Sequence, residues 1–263
     1  MNTNYYFLTS ALPDLQIGHP PDLNFNTFQF MLKLNLDPKD MGQVIIMRRY
    51  YDIENIRAFW LKEELDNRGY FNLNELEDAL ISQIGFPSYV YDFLDRHEHL
   101  KERVYFFPEL IKAYFQNEIE QATGFLKNYL EFEKEWRLVL AAFRAKKLKR
   151  DIVEELQFED SSDDLMLEII AQKDSKTFEP PVHYADLKLI FEKNYTAPLA
   201  LDLAICQYRF EKIESMYRLE LFSIGRILGF MAQLIIVEKW FELDKKKGSQ
   251  IIGEIVNHDI KYA

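Results

Sequence analysis

The stretch that decides the fold class is EFEKEWRLVLAAFRAKKLKR, residues 131–150. Counted from Phe132, large apolar side chains follow after four, seven, eight and eleven positions; they are Trp136, Val139, Leu140 and Phe143. This spacing brings them to one face of an α-helix, whereas a half-buried strand would alternate apolar and polar residues. The stretch therefore predicts a long amphipathic helix, which we expect to run from Glu131 to Gln157.

Helical spacing continues on both sides of this stretch. Proline and capping residues divide it into further predicted helices. These are Leu23–Asn35, Pro38–Asn67, Asn72–Gln83, Pro87–Glu102, a helix that begins at Phe107, Leu165–Ala171, Pro198–Leu243 and Ser249–Asn257. We expect Gly124 to interrupt the helix from Phe107, at least one turn of unknown position within Pro198–Leu243, and a break at Gly248. The run Tyr5–Leu8 has an extended pattern. With just 9 Gly and 9 Pro, the sequence predicts a mainly α, multi-helical protein with a short extended amino-terminal segment.

The length of 263 residues allows one large domain with a sizeable core. We expect a single multi-helical domain, 1–263, with three helical lobes at 37–105, 106–156 and 182–263. The segment 157–181 begins with acidic residues and serines and ends in Glu179-Pro180-Pro181. We interpret it as a structured connector between the second and third lobes.

The charge balance of 32 basic and 43 acidic residues gives a net charge of −11. This excess argues against nucleic-acid binding, because phosphate contacts need a basic surface. The single cysteine, Cys206, excludes a disulfide framework and fits a reducing compartment. The amino terminus lacks the basic region of a secretory signal, and the most apolar run, Leu221–Val237, is short for a bilayer. We therefore expect a cytoplasmic protein without a transmembrane segment.

Three patterns imitate metal or catalytic sites, and we interpret each as structural. Glu64–Glu75 has the length of a calcium loop, but Arg68 stands at a ligand position, so we expect a glycine turn between helices. His97 and His99 lie two residues apart, whereas two ligands on one helix need a spacing of four. Glu131, Glu133 and Glu135 have no nucleophile or histidine nearby in the sequence.

A phosphate-binding loop is absent from the sequence. Gly225 and Gly229 stand four residues apart inside helical sequence, which favours close helix packing rather than nucleotide binding. We therefore expect no enzymatic activity and no cofactor or metal. The aromatic content of 15% is high, and we expect most rings to lie in the core and any exposed cluster to mark a docking surface.

Three segments are faintly alike and hint at an internal repeat. They are Tyr51–Phe59, Phe132–Leu140 and Gly229–Val237, and aligning Asn55 with Glu135 and Gln233 separates them by 80 and 98 residues. Each leads into a charged turn. The period is too long for a solenoid, so we interpret the repeat as three lobes of one body.

Part of this repeat resembles a known family. Asp52-Ile53-Glu54-Asn55-Ile56-Arg57 is similar to the Asp-x-x-Asn-Leu motif that opens helices in the C subunit (d in eukaryotes) of V-type and archaeal-type rotary ATPases. The opening Tyr5–Leu15 and the closing Phe230–Gly248 more closely resemble a bacterial family of undefined function whose genes accompany V-type ATPase subunits. The aligned positions Glu135 and Gln233 depart from the asparagine of the motif.

The resemblance implies a non-catalytic subunit of the central stalk. Such a subunit would link the shaft formed by subunits D and F to the proteolipid ring in the membrane, so the protein would be peripheral to the inner membrane through protein partners. The residues that carry the repeat would be structural, with Asp52, Asn55 and Arg57 as a cluster at a helix start. The other repeat residues are Trp136, Arg137, Gln233 and Leu234.

Two other functions fit the same sequence. The chain could be a stand-alone helical interaction scaffold or assembly factor with an unrelated partner, and the repeat would then be accidental. It could also be an enzyme whose pocket leaves no sequence pattern. A deep pocket with converging polar groups would favour the enzyme.

Overall fold

The computed structural model of the chain describes residues 5–260 and the side chains of residues 5–243. Thirteen α-helices and no strand occur in this range, which confirms the predicted mainly α fold. The helices are α1 Tyr6–Ser10, α2 Phe25–Asn35, α3 Pro38–Leu61, α4 Leu73–Ser82, α5 Ser88–Arg96, α6 Leu100–Tyr105, α7 Phe107–Gln121, α8 Gly124–Leu148, α9 Ile152–Glu155, α10 Asp164–Ala171, α11 Ala185–Asn194, α12 Pro198–Tyr217 and α13 Ile224–Ile260. A 3₁₀ turn, Val182–Tyr184, precedes α11.

The chain divides into two compact units, one formed by 37–196 and the other by 1–36 together with 197–263. The first boundary coincides with the predicted start of the first lobe at residue 37. The second boundary differs from the predicted lobe limit at residue 182, because α11 packs on α8 and so belongs with the preceding helices. The single domain with three lobes stays a prediction.

The unit 37–196 is built around α7 and α8, which pack against each other. The other helices surround this pair, with α3 and α5 on α7 and with α9, α10 and α11 on α8. The five apolar residues that predicted the long helix are all buried on α8, which confirms the predicted buried face, although α8 begins at Gly124 and not at Glu131. Aromatic contacts fill this core, for example between Phe143 and Phe191, whose ring centroids are 5.3 Å apart.

Three helices of this unit end earlier than the sequence predicts. α3 stops at Leu61 and α8 at Leu148, because Lys62 and Lys149 adopt the left-handed conformation with φ of 58° and 55°. The predicted helix Pro87–Glu102 is divided into α5 and α6 at residues 97–99. There the guanidinium of Arg103 donates to the carbonyl of His97 at 2.6 Å, which satisfies a backbone acceptor just past the end of α5.

Several predicted boundaries in this unit are confirmed. α4 begins with a capping box, in which Asn72 accepts from the Glu75 amide and the Glu75 carboxylate accepts from the Asn72 amide. The interruption predicted at Gly124 lies between α7 and α8, and Gly124 has a φ of 59°. The short helix predicted at 165–171 is α10, which Asp163 caps.

The unit formed by residues 1–36 and 197–263 is organised around α12 and α13, the most extensively packed pair of helices in the chain. The turn that the sequence could not place lies at residues 218–223. α2 packs on α13, where the rings of Phe28 and Phe230 are 5.1 Å apart. The amide of Phe25 donates to the Glu238 carboxylate at 2.7 Å, which satisfies a free donor at the start of α2.

Two predictions for this unit are wrong. Tyr5–Leu8 is not extended but leads into the short helix α1, because Thr9 donates both its amide and its hydroxyl to the Tyr5 carbonyl at 2.9 Å. The predicted break at Gly248 is absent, since α13 runs without interruption to Ile260. None of the described helices combines the length and the apolar content that crossing a bilayer requires.

Gly229 allows α12 and α13 to approach closely, as its spacing from Gly225 predicts. A Cβ atom at Gly229 would lie 2.0 Å from Cδ1 of Tyr217. A Cβ atom at Gly42 in α3, by contrast, would meet nothing within 4 Å. The two glycines therefore form a matched pair for testing helix packing.

We predict that Gly229→Ala lowers the free energy of unfolding by roughly 1–3 kcal/mol, because the rigid Tyr217 ring must move. The control Gly42→Ala should raise it by about 0.5–1 kcal/mol, since alanine favours the helix and meets no neighbour. Urea unfolding followed by circular dichroism measures both changes. Equal stabilities for the two variants would contradict the close packing of α12 and α13.

Candidate functional site

One face of α3 holds the loop between α3 and α4. Arg48, Asp52 and Asn55 are spaced by four and three residues, which places them on the same side of the helix. The Asn55 side chain binds both backbone groups of Asp66, donating to its carbonyl at 2.8 Å and accepting from its amide at 2.7 Å. The Asp52 carboxylate accepts from the Phe71 amide at 3.0 Å.

Arg48 completes this arrangement, which we call the loop clamp: the side chains of Arg48, Asp52 and Asn55 on the loop 62–72. The Arg48 guanidinium donates to the carbonyls of Arg68, at 3.0 Å, and of Gly69. All three clamp side chains are buried. Since buried backbone groups must be hydrogen-bonded, the clamp replaces the partners that the loop would find in a helix or in water.

Gly69 is required by the clamp itself. A Cβ atom at this position would lie 2.6 Å from both the Asn55 amide nitrogen and an Asp52 carboxylate oxygen. The stretch that imitates a calcium loop is therefore a glycine turn between α3 and α4, as predicted. Arg68 is buried in this turn, and its guanidinium lies 3.2 Å from the Asp66 carboxylate.

The structure separates the three residues predicted as a cluster at a helix start. Asp52 and Asn55 lie together in the clamp, but they stand deep inside α3, which begins at Pro38 after the cap residue Asp37. The prediction of a helix start is therefore wrong for this motif. Arg57 is not part of the clamp, and its guanidinium lies 5.9 Å from the ring centroid of Phe107.

The second predicted pair, Trp136 and Arg137, lies in α8. Trp136 is buried, and the Arg137 guanidinium lies 4.8 Å from its ring centroid and 4.9 Å from that of Tyr50. Arg137 also forms an ion pair with Glu133 at 2.6 Å. These contacts join α8 to α3 through a stacked cation and give both residues a packing role.

The third pair, Gln233 and Leu234, lies in α13 and is buried there. The Gln233 amide donates to the Phe210 carbonyl at 3.1 Å and accepts from the Tyr217 hydroxyl. At the aligned position of the second segment, the Glu135 carboxylate accepts from the Tyr184 hydroxyl at 2.7 Å. The three aligned polar residues, Asn55, Glu135 and Gln233, therefore form hydrogen bonds with different kinds of partners. The repeat stays a prediction.

A small cavity lies between α3, α7 and α8, and its volume of about 10 Å³ has room for about one water molecule. It is lined by Met47, Tyr50, Tyr51, Tyr114, Phe115, Tyr129, Leu130, Glu133 and Arg137. Ligand pockets are larger, at about 300–1,000 Å³. Among the described residues, no group of three or more His, Cys, Asp or Glu is placed to hold a metal ion.

Exposed aromatic and aliphatic side chains form the candidate interaction surface of the unit formed by residues 1–36 and 197–263. We call this surface the amino-terminal patch: Tyr6, Phe7, Leu219, Leu221 and Phe222. The Tyr5 amide donates to the Phe222 carbonyl at 2.9 Å, and the Tyr6 and Phe222 rings lie 4.9 Å apart. Phe7 and Leu219 nevertheless remain 86% and 93% exposed.

Most described aromatic rings are buried or half-buried, as the sequence predicts, so the exposed rings of the amino-terminal patch stand out. Large exposed apolar side chains in one place are typical of protein–protein interfaces. Sequence reasoning did not locate this patch, since it depends on a contact between residues more than 200 positions apart. Sequence reasoning also missed Arg48, although its helical spacing with Asp52 and Asn55 could have revealed it.

The clamp carboxylate Asp52 has a perturbed pKa. Burial raises the pKa from its ordinary value of 3.8 to about 6, and the Phe71 amide and the Arg48 guanidinium offset only part of that effect. The folded protein therefore binds a proton more tightly at Asp52 than the unfolded chain does. This contribution to stability is full below pH 4 and is lost as the pH rises through 6.

We predict that Asp52→Asn removes this pH dependence. Between pH 4 and pH 7 the wild type should lose about 2–3 kcal/mol of unfolding free energy that the variant does not lose. The difference in unfolding free energy, variant minus wild type, should therefore rise by that amount. Urea unfolding at a series of pH values measures the difference. A difference that stays constant or falls over this range would contradict the burial of a titrating carboxylate.

Comparisons with known proteins place the chain in a family. The chain is 29% identical to a protein of Chlamydia muridarum over 95% of its length, and 30% identical to one of Chlamydia pneumoniae over 96%. These alignments cover 96% and 97% of the relatives, which are both named uncharacterized proteins. No solved structure matches the chain. A family model described as "Protein of unknown function (DUF2764)" matches residues 1–261, and the chain belongs to this family.

Proposed function

We propose that this protein is a non-catalytic subunit of a V-type rotary ATPase or ATP synthase, similar to the C subunit (d in eukaryotes) of those enzymes. In this role it links the shaft of subunits D and F to the proteolipid ring and lies at the inner membrane through these protein partners. Its work is mechanical, because torque passes through it while other subunits carry out ATP chemistry and ion transport.

The observation that carries the proposal is the exposed amino-terminal patch on an all-helical body. An adaptor needs apolar surface for partners, and Phe7 and Leu219 offer it with their side chains almost fully in solvent. The segments that form the patch include the opening sequence Tyr5–Leu15, which carries the resemblance to proteins encoded with V-type ATPase subunits. The buried Asp52 and Asn55, which belong to the motif resembling the rotary-ATPase family, support a structural role for that motif.

Buried contacts within each unit support the stiffness that torque transfer would require. Buried side chains tie the loop between α3 and α4 to the helix, and the stacked Arg137 joins α8 to α3. In the other unit, the contact of Gly229 with Tyr217 keeps α12 and α13 close. These contacts rigidify each unit separately.

We predict that the chain co-purifies with a folded complex of subunits D and F when the three are expressed together. Phe7→Ser combined with Leu219→Ser should weaken this association by removing apolar contact area, about tenfold or more. Leu189→Ser, at an exposed leucine of α11, is the matched control and should leave it unchanged. Size-exclusion chromatography and calorimetry measure the association.

Failure of the wild-type chain to bind an intact complex of D and F would contradict the proposal that it binds the shaft. Retention of full affinity by the double variant would show that the amino-terminal patch is not the contact surface. Circular dichroism of each variant confirms that it is folded before binding is compared.

A further inference from the structure

The unit 37–196 has a second exposed surface, on α4. Leu73, Glu77 and Ile81 stand four residues apart, so they form one outward stripe on the helix. Ile81 is 76% exposed, and Ile84, just past the end of the helix, is 73% exposed. The opposite side of α4 is fixed in the core by Leu76 and Ala79. We call the outward surface the α4 face: Leu73, Glu77, Asp78, Ile81 and Ile84.

The charge of the segment that carries the α4 face has a single sign. Gly69–Asp95 contains five carboxylates and no Lys, Arg or His. The carboxylates of Glu77 and Asp78 lie on the α4 face itself, while those of Asp92 and Asp95 are exposed on α5. The side-chain amide of Gln83 donates to the Asp95 carboxylate at 3.1 Å, which brings α5 next to the end of α4.

The two basic residues that border this segment have other contacts. Arg68, at one end, is buried in the turn and binds Asp66. Arg96, at the other end, donates to the backbone carbonyl of Asp92 at 3.2 Å, and its guanidinium lies 3.6 Å from the Glu109 carboxylate rather than at a carboxylate of the α4 face. The α4 face therefore combines exposed isoleucines with negative potential that no cation within Gly69–Asp95 neutralises.

We propose that the α4 face docks a basic amphipathic helix of a partner protein, one that presents Leu or Ile beside Lys or Arg. The apolar side chains of that helix would cover Ile81 and Ile84, and its cations would lie against Glu77 and Asp78. Charge complementarity selects this partner, because a neutral or acidic helix would leave the carboxylates unpaired or facing like charge. This inference does not depend on the proposed rotary ATPase function.

The clamp gives the α4 face a fixed position. Asn55 and Asp52 hold the loop at Asp66 and Phe71, immediately before the capping box of α4. The far end is fixed by Tyr91, whose hydroxyl accepts from the Phe86 amide at 2.9 Å. A surface held at both ends loses little conformational entropy when a partner helix binds.

The test uses three labelled helical peptides of equal length that share one Leu and Ile face and carry Lys, Glu or Gln on the other. Fluorescence polarisation against the full chain measures their affinities. The Lys peptide should bind about tenfold or more tightly than the Gln peptide, and its affinity should fall as salt is added. The Glu peptide should bind most weakly.

Two variants of the full chain locate the binding surface. Glu77→Lys with Asp78→Lys should abolish the preference for the Lys peptide, because the two carboxylates on the α4 face are replaced by cations. Ile81→Ser with Ile84→Ser should weaken both peptides about tenfold, because the apolar contact is lost. Leu167→Ser, at an exposed leucine of α10, is the matched control and should change neither affinity.

Three outcomes would overturn the proposal. The first is an affinity for the Gln peptide equal to that for the Lys peptide, which would show that charge does not select the partner. The second is unchanged binding after Ile81→Ser with Ile84→Ser in a variant that circular dichroism shows to be folded. The third is self-association of the wild-type chain that the same variant abolishes, because the occupant would then be a second copy.

Discussion

Hydrogen bonds from buried side chains of α3 to the backbone of the following loop are the constraint on which the unit 37–196 depends. Backbone groups of this loop that are turned away from water must find hydrogen-bond partners, and here the Asn55 side chain binds both the amide and the carbonyl of the half-buried Asp66. The side chains of Asp52 and Arg48 form three more hydrogen bonds with the backbone of residues 68–71. The loop in turn sets the start of α4, so one helix face determines where the next helix lies.

The cost of this arrangement is a buried carboxylate. Burial raises the pKa of Asp52 to about 6, although the Phe71 amide and the nearby Arg48 favour its charged form. Gly69 is the second requirement, because any larger residue would displace the side chains of Asp52 and Asn55. A polar network of this kind stabilises one loop conformation only when all its members are paired.

Periodicity was sufficient to predict the long helix α8 and its buried face, because a repeat of 3.6 residues is written directly in the sequence. The ends of α3 and α8 were predicted less well, since Lys62 and Lys149 take a left-handed conformation that sequence patterns assign to glycine. The helix α1 was missed because it has just five residues, Tyr6–Ser10, too few to show a helical period in the sequence. Asp52 and Asn55 were found by their motif, but their role required the loop that they bind.

Amide hydrogen exchange measured by NMR tests most directly whether the clamp positions the loop and α4. In Asn55→Ala, the amide of Asp66 should lose its protection, and those of α4 should exchange faster than in the wild type. Arg57→Ala, two residues further along α3 and outside the clamp, should leave both unchanged. Equal protection at Asp66 in the wild type and Asn55→Ala would contradict the account.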